Sequence, residues 1–193
     1  MQKKLLFLFV LVLVTIQCVN AQTHFGTGND GALTVASSDV FITDQARSPI
    51  VGDFVAGVSA IVVADGSLFH QGDEILIMTM VDPTPDMNNN LVGQSETHYI
   101  HSVFQNQLYL DKGLENEYPS VGGQLHQVVK VFNFTDVVVN GEMTCSNWDG
   151  SAGGVLFFRA TGSVTVSSTG KIYVDGKGYQ GHNRQSDNQN GYQ

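Results

Sequence analysis

From Leu33 to Val174 the chain is written in short apolar or alternating runs, each closed off by Gly, Asn, Asp or Ser, and no window keeps a helical period. The runs are Leu33–Val35, Val40–Thr43, Ser59–Ala64, Glu74–Val81, Thr97–Phe104, Gln107–Asp111, Leu125–Phe132, Asp136–Val139, Val155–Arg159, Val164–Val166 and Lys171–Val174. Successive side chains of a strand point to opposite faces, so runs of this length make buried or half-buried strands. No segment carries both a cap and a helical stripe. The expected fold class is all-β. Composition agrees, because only 14% of the 193 residues are charged, too few to solvate the outer faces of several helices.

Two local readings sharpen this. Glu74–Val81 (EILIMTMV) is apolar on both faces, as a central strand covered on both sides must be. Gln105-Asn106-Gln107 separates two strand runs and reads as a hairpin turn in which Asn106 takes the positive φ. Asp82–Ser95, with Pro83, Pro85, Gly93 and Asn88-Asn89-Asn90, is a loop.

The first 21 residues stand apart. Lys3 and Lys4 precede an apolar run from Leu5 to Ile16, followed by a polar stretch ending in Val19-Asn20-Ala21. That order is a secretory signal peptide, with cleavage expected after Ala21. The run is shorter than the roughly 20 residues a bilayer-spanning helix needs. Cys18 raises a lipoprotein alternative, against which Gln17 stands where a small residue is preferred. Cleavage leaves Cys145 as the single cysteine, expected to be a small buried hydrophobe. The formal charge of −9 excludes nucleic acid and anionic membranes as partners, since both require clustered Lys and Arg.

Beyond about Asp136 the texture becomes repetitive. Val137 and Val139 recur as Val164 and Val166, an offset of 27 residues, as in successive coils of a parallel β-solenoid. The expected organisation is a β-rich head over residues 22–135, the start of a solenoid over 136–175, and a polar tail over 176–193 that lacks any aliphatic side chain. A solenoid ends in a cap and none is visible, so the chain is expected to be a fragment of a longer protein. Two hairpin arms of a β-sandwich are the alternative reading of the repeat.

Gly26–Val35 (GTGNDGALTV), Gly72–Asp82 (GDEILIMTMVD), Trp148–Val166 (WDGSAGGVLFFRATGSVTV) and Asp175–Gly181 (DGKGYQG) resemble the amino-terminal region of large secreted bacterial adhesin-like surface proteins. The resemblance spans most of residues 26–181. It implies a small barrel-like or sandwich-like β head leading into the first coils of a right-handed parallel β-helix, in a non-catalytic surface or extracellular protein. It carries no assigned catalytic residues.

Candidate chemistry is sparse. Asp149 and Asp175 are the carboxylates that neighbouring coils can bring together for polysaccharide hydrolysis or lyase chemistry, which needs two carboxyls about 5–10 Å apart. Each also precedes a Gly, as ordinary turn residues do. Trp148, Tyr173 and Tyr179, with Tyr99, Tyr109 and Tyr118, are the aromatic candidates for stacking on sugars. Asn29, Asp30, Asp82 and Asp86, with Asn88–Asn90, offer oxygen ligands to calcium but form no standard calcium loop. His98 and His101 lie three apart on a strand and face opposite ways, so they do not chelate one metal. His24, His70, His126 and His182 are scattered. Asn133-Phe134-Thr135 is a glycosylation sequon inside a strand run. No phosphate loop and no G-x-S-x-G elbow are present. The expected partners are glycans or other surface or matrix proteins.

Overall fold

A computed structural model describes residues 25–83 and 90–178. Residues 1–24, with the expected signal peptide, Cys18 and His24, together with Asp86, Asn88, Asn89, Tyr179, His182 and most of the polar tail, lie outside the described residues. The described chain is almost entirely strand and turn, with two 3-10 turns at Gly66–Leu68 and Val121–Gly123. Among the described residues no helix is long and apolar enough to cross a membrane. The strands are β1 (Gly31–Val35), β2 (Val40–Ile42), β3 (Arg47–Pro49), β4 (Ala60–Val62), β5 (Glu74–Val81), β6 (Ser95–Phe104), β7 (Gln107–Leu110), β8 (Leu125–Val139), β9 (Glu142–Thr144), β10 (Phe158–Ala160), β11 (Val164–Val166) and β12 (Lys171–Ile172).

β8 is the spine. Its 15 residues run about 50 Å at 3.3 Å per residue and belong to two different architectures. The first half pairs antiparallel with β3 on one side and β5 on the other, and the second half pairs parallel with β1, β10 and β11. The runs Leu125–Phe132 and Asp136–Val139 join into one strand through Asn133–Thr135, because neighbouring segments satisfy the polar groups there. Asn133 Nδ2 donates to Glu74 Oε2 at 2.8 Å, and Asp136 Oδ1 accepts from Ser163 N at 2.8 Å.

The antiparallel half closes on itself. β5 pairs β6, β6 pairs β7 and β7 pairs β4. The ring is completed where Val51 N donates to Val62 O (2.9 Å) and Ala64 N donates to Pro49 O (3.0 Å), returning the sheet to β3 and β8. Inside sit Ile61, Val63, Phe69, Ile75, Ile77, Ile100, Leu108, Leu110, Leu114, Tyr118 and Val128. Each such aliphatic contributes about 1.5–3 kcal/mol by leaving water. β5 is central, as its two-faced apolar pattern requires. β3 was not readable as a strand, since Arg47-Ser48-Pro49 has no β pattern; Pro49 is tolerated at its end. In the β6–β7 turn the positive φ falls on Gln105 (53°) rather than Asn106. Asn106 is spent elsewhere: its Oδ1 accepts from Gly66 N and its Nδ2 donates to Ala64 O.

The parallel half is a stack of three coils of the β-helix type. β1 and β2 form the first, the end of β8 with β9 the second, and β10 to β12 the third. Val137 pairs with Val164 and Val139 with Val166, so the 27-residue offset is the register of coils two and three. The same ladders extend back to Leu33 and Val35 in coil one, and Phe41, Met143 and Ile172 form a further ladder in the second sheet. Coil one therefore precedes the whole antiparallel part, and the chain leaves the stack after Ile42 and rejoins it in β8. Gly141 and Gly170 mark the corners of coils two and three. A Cβ at either would collide with a backbone carbonyl of the coil before it, Ala36 O and Val139 O respectively.

Within the stack, Val35, Phe134, Val137, Val139 and Met143 are buried against Leu33, Phe41, Phe132, Phe158 and Ala160. Phe132 and Phe134 stack at 5.6 Å, and Phe41 meets both rings edge-on. Between coils two and three, residues 145–157 fold over the outer face of β5 and β8. There Val155, Trp148 and Phe157 cover Met80, Val129, Leu76 and Met78.

Candidate functional site

The loop at 145–157 holds the carboxylate singled out from sequence, and its geometry is that of a tied turn. Asp149 Oδ1 accepts from Ser151 N, Ser151 Oγ and Ala152 N, all at 2.8 Å, and Arg47 Nη2 lies 3.8 Å from Oδ2. The Ala152 N–H and the Ser151 hydroxyl hold this carboxyl below its ordinary value. Asp175 is exposed in the turn after β12. Trp148 is half-buried against the Met80–Val129–Val155 cluster, so its ring serves packing on at least one side. The Tyr173 hydroxyl donates to Glu142 Oε2 at 2.8 Å, and Lys177 Nζ lies 5.6 Å from the centre of its ring. That hydrogen bond raises the Tyr173 phenol and lowers Glu142.

The oxygen ligands proposed for calcium are engaged separately. Asp30 Oδ2 accepts from Asn133 N at 2.6 Å, and buried Asp82 accepts from Leu91 N at 2.8 Å, while Asn29 is exposed. Among the described residues no group of three or more His, Cys, Asp or Glu is placed to hold a metal ion. Cys145 is buried, and burial pushes its thiol up. The Asn133 amide of the sequon is buried between Glu74 and the Val131 carbonyl, out of reach of a glycan in the folded protein.

Sequence reasoning missed four buried polar constellations, most of whose members are distant in the chain. At the junction of barrel and stack, Arg159 reaches Glu74 through Nε (2.9 and 3.0 Å) and Nη2 (2.8 Å), while Glu74 also accepts from Asn133. Under the 145–157 loop, Gln127 exchanges two hydrogen bonds with Gly153, and Asp44 accepts from Ser146 N and Val155 N. At one end of the barrel, His98 Nε2 donates to Glu96 Oε2 at 2.6 Å and His98 Nδ1 stands 3.6 Å from Asp111 Oδ1. Burial works to raise Glu96, but the backbone N–H of Glu115, His98 and the N–H of Asn116 outweigh it and hold the carboxyl below its ordinary value. Tyr118, deep beside this pair, has its phenol pushed far up by burial and then by the Glu96 charge. A fourth group, His126, donates from Nε2 to Pro119 O (2.7 Å) and accepts at Nδ1 from Thr79 Oγ1 (2.9 Å). Burial lowers its pKa.

His98 points into the barrel and His101 outward, as strand alternation requires. The outward face of β6, β7 and β4 is not covered by the 145–157 loop, and it carries Tyr99 and Tyr109. Each ring residue is 37% exposed. Ser102 pairs with Tyr109, and Asp111 N donates to Tyr99 O, which sets the two tyrosines diagonally on neighbouring strands. Diagonal neighbours of this kind lie about 7–8 Å apart at their backbones. Asp111 Oδ1 accepts from Tyr99 N (3.0 Å), and the Tyr109 hydroxyl donates to Gln107 Oε1 (3.0 Å). Small Ala60, paired with Tyr109 across β4, leaves that ring open on its flank.

The fold is thus mostly β, with parallel coils of the β-helix type joined to a closed antiparallel ring. No family model matches the chain, and no curated protein matches it. Distant structural similarity is found to phage tailspikes. Gp54 of Acinetobacter baumannii bacteriophage AP22, solved in complex with A. baumannii capsular saccharide, is 12% identical with a TM-score of 0.38, over 71% of this chain and 27% of that one. The tailspike gp49 from Pseudomonas phage LKA1 is 13% identical with a TM-score of 0.39, over 61% of this chain and 27% of that one. The tailspike gp61 of Pseudomonas phage phi297 is 13% identical with a TM-score of 0.36, over 70% of this chain and 24% of that one. The chain spans about a quarter of the length of each.

Proposed function

We infer that the chain works as an exported, non-catalytic, adhesin-like surface protein, in which a right-handed parallel β-helix is the platform and the barrel is the recognition unit. The observation that carries this reading is the insertion of the barrel between coils one and two. Both ends of the insertion are fixed in the same stack, through β2 and β8, so a rigid coil pair presents the barrel. Recognition modules are held this way when a scaffold supplies position and the inserted element supplies contact. A non-catalytic role is supported at Asp149, whose carboxylate oxygen already accepts three hydrogen bonds inside its own turn. The partner is a glycan or another surface or matrix protein.

Protease treatment of intact producing cells tests the location. Loss of the protein without lysis is the expected result, and full protection inside the cell overturns the reading. The rival reading is a polysaccharide hydrolase or lyase using Asp149 and Asp175. It requires turnover of a neutral or acidic polysaccharide by the purified protein that disappears in Asp149→Asn. The present reading expects no turnover by either protein, and an Asp149→Asn variant less stable by about 1 kcal/mol through weakened turn hydrogen bonds.

A further inference from the structure

The geometry points to a binding site for a neutral glycan on the outward face of β6 and β7, with Tyr99 and Tyr109 as its stacking rings; this rests on the surface-recognition reading and names its ligand. Three observations converge. First, the rest of the barrel's outer surface over β5 and β8 is sealed by Val155, Trp148 and Phe157, whereas this part stays open with two large rings each 37% exposed. Solvent-exposed aromatic rings paired on one face offer the flat apolar surface on which the C–H face of a sugar ring packs.

Second, the Tyr109 ring is held before any ligand arrives, its hydroxyl donating to Gln107 Oε1, while the strand beneath Tyr99 is fixed by its N–H donating to Asp111. The Tyr109 ring therefore has little rotamer freedom to lose on binding. Third, the groups beside the rings bear on the charge of the ligand. The Asp111 carboxylate and the Gln107 amide can exchange hydrogen bonds with sugar hydroxyls. Arg159 also acts on Tyr99, but it is paired with Glu74, so a uronate or sulfated sugar meets Asp111 as a like charge. The chain's net charge of −9 acts in the same direction at longer range. Of the aromatic residues named from sequence, Tyr179 lies outside the described residues, Tyr118 is enclosed in the barrel, Trp148 packs on the core and Tyr173 is half-buried on the coils, so Tyr99 and Tyr109 remain as the pair on one open face of the barrel.

The test uses the full chain and three probes: dextran oligosaccharides, mannan oligosaccharides and polygalacturonate oligosaccharides. Calorimetry is expected to show binding of at least one neutral probe and weaker or absent binding of the polygalacturonate. Tyr99→Ala and Tyr109→Ala should each weaken binding by about ten-fold or more. Tyr109→Phe keeps the stacking ring but frees it from Gln107, and should lose less affinity than Tyr109→Ala. Tyr173→Ala should bind as the native protein does. Thermal unfolding of every variant separates lost binding from lost folding. Neutral-probe binding that survives in the Tyr99→Ala/Tyr109→Ala double variant overturns this site and leaves the surface-recognition reading standing. Tighter binding of the polygalacturonate than of either neutral probe overturns the ligand assignment. Absence of binding to both neutral probes also overturns the proposal, while surface exposure on intact cells continues to test the broader reading separately.

Discussion

The barrel and the stack share one strand and solve the problem of sheet edges in opposite ways. In the barrel the ring of pairings returns to β8, and its core aliphatics are enclosed throughout. In the stack each coil is covered only by its neighbours. Val137 and Val139 in the middle coil are 0% exposed, while Val164 and Val166, on the same ladders one coil later, are 46% and 45% exposed. The difference is not in the residues, which are all valine. Along the described coils, Val35, Val139 and Val166 on one ladder are 3%, 0% and 45% exposed, so burial in the stack changes along the axis, whereas in the closed ring it follows strand parity.

The largest effect is expected where the two regions meet. Arg159 of coil three neutralises Glu74 of the barrel, and Glu74 is buried. Arg159→Met keeps the apolar stem and strands the carboxylate, so unfolding stability should fall by about 3 kcal/mol in urea. Adding Glu74→Gln should recover most of that loss. If the single variant costs under about 1 kcal/mol, the ion pair does not bind barrel to stack and the two regions are energetically independent.

Next comes the contrast inside the stack. Val139→Ala removes two methyl groups from a site covered on both sides and should cost about 2 kcal/mol. Val166→Ala removes the same atoms from a half-open site and should cost well under about 1 kcal/mol. Equal losses in the two variants would mean that the end of the stack is covered in solution, and the exposure difference would then have no energetic meaning.

How much of this was legible beforehand follows the same division. The register of coils two and three was readable because valines recur at short range, 27 residues apart, with no inserted barrel between them. Coil one was not, because the barrel intervenes between Leu33-Thr34-Val35 and Val137-Val138-Val139. A comparison of these triads with Val164-Thr165-Val166 was the available signal, although three residues make a weak one. The two-faced pattern of Glu74–Val81 placed β5 at the centre of its sheet. The turn role of Asp149 was visible in its Asp-Gly pair, whereas Arg159 and Glu74 lie 85 positions apart and only the closed fold brings them together. The aromatic candidates could be named but not sorted, since exposure depends on which part of the sheet the 145–157 loop covers.

The smallest expected effect separates the regions by acidity rather than by packing. The described coils contain no histidine, while the barrel holds His126 with Nε2 bound to Pro119 O and Nδ1 to Thr79. Burial lowers His126, and the Pro119 carbonyl, Asp82 and Asp53 offset that only in part. The folded state therefore binds fewer protons at this site than the unfolded chain, whose His titrates near the ordinary value of 6.5. Above that pH the site is neutral in both states and its contribution is constant. As pH falls through 6.5 toward the lowered folded value, the unfolded chain takes up the proton first and stability declines. Protonation of Nδ1 also removes the acceptor for Thr79 Oγ1. Hydrogen exchange at pH 7.5 and pH 5.5 should then show β5 and the first half of β8 losing protection before β9 and β11 do. His126→Gln should shrink that difference. Equal loss of protection in both regions would place the acid-sensitive group elsewhere and remove the electrostatic half of the contrast between barrel and stack.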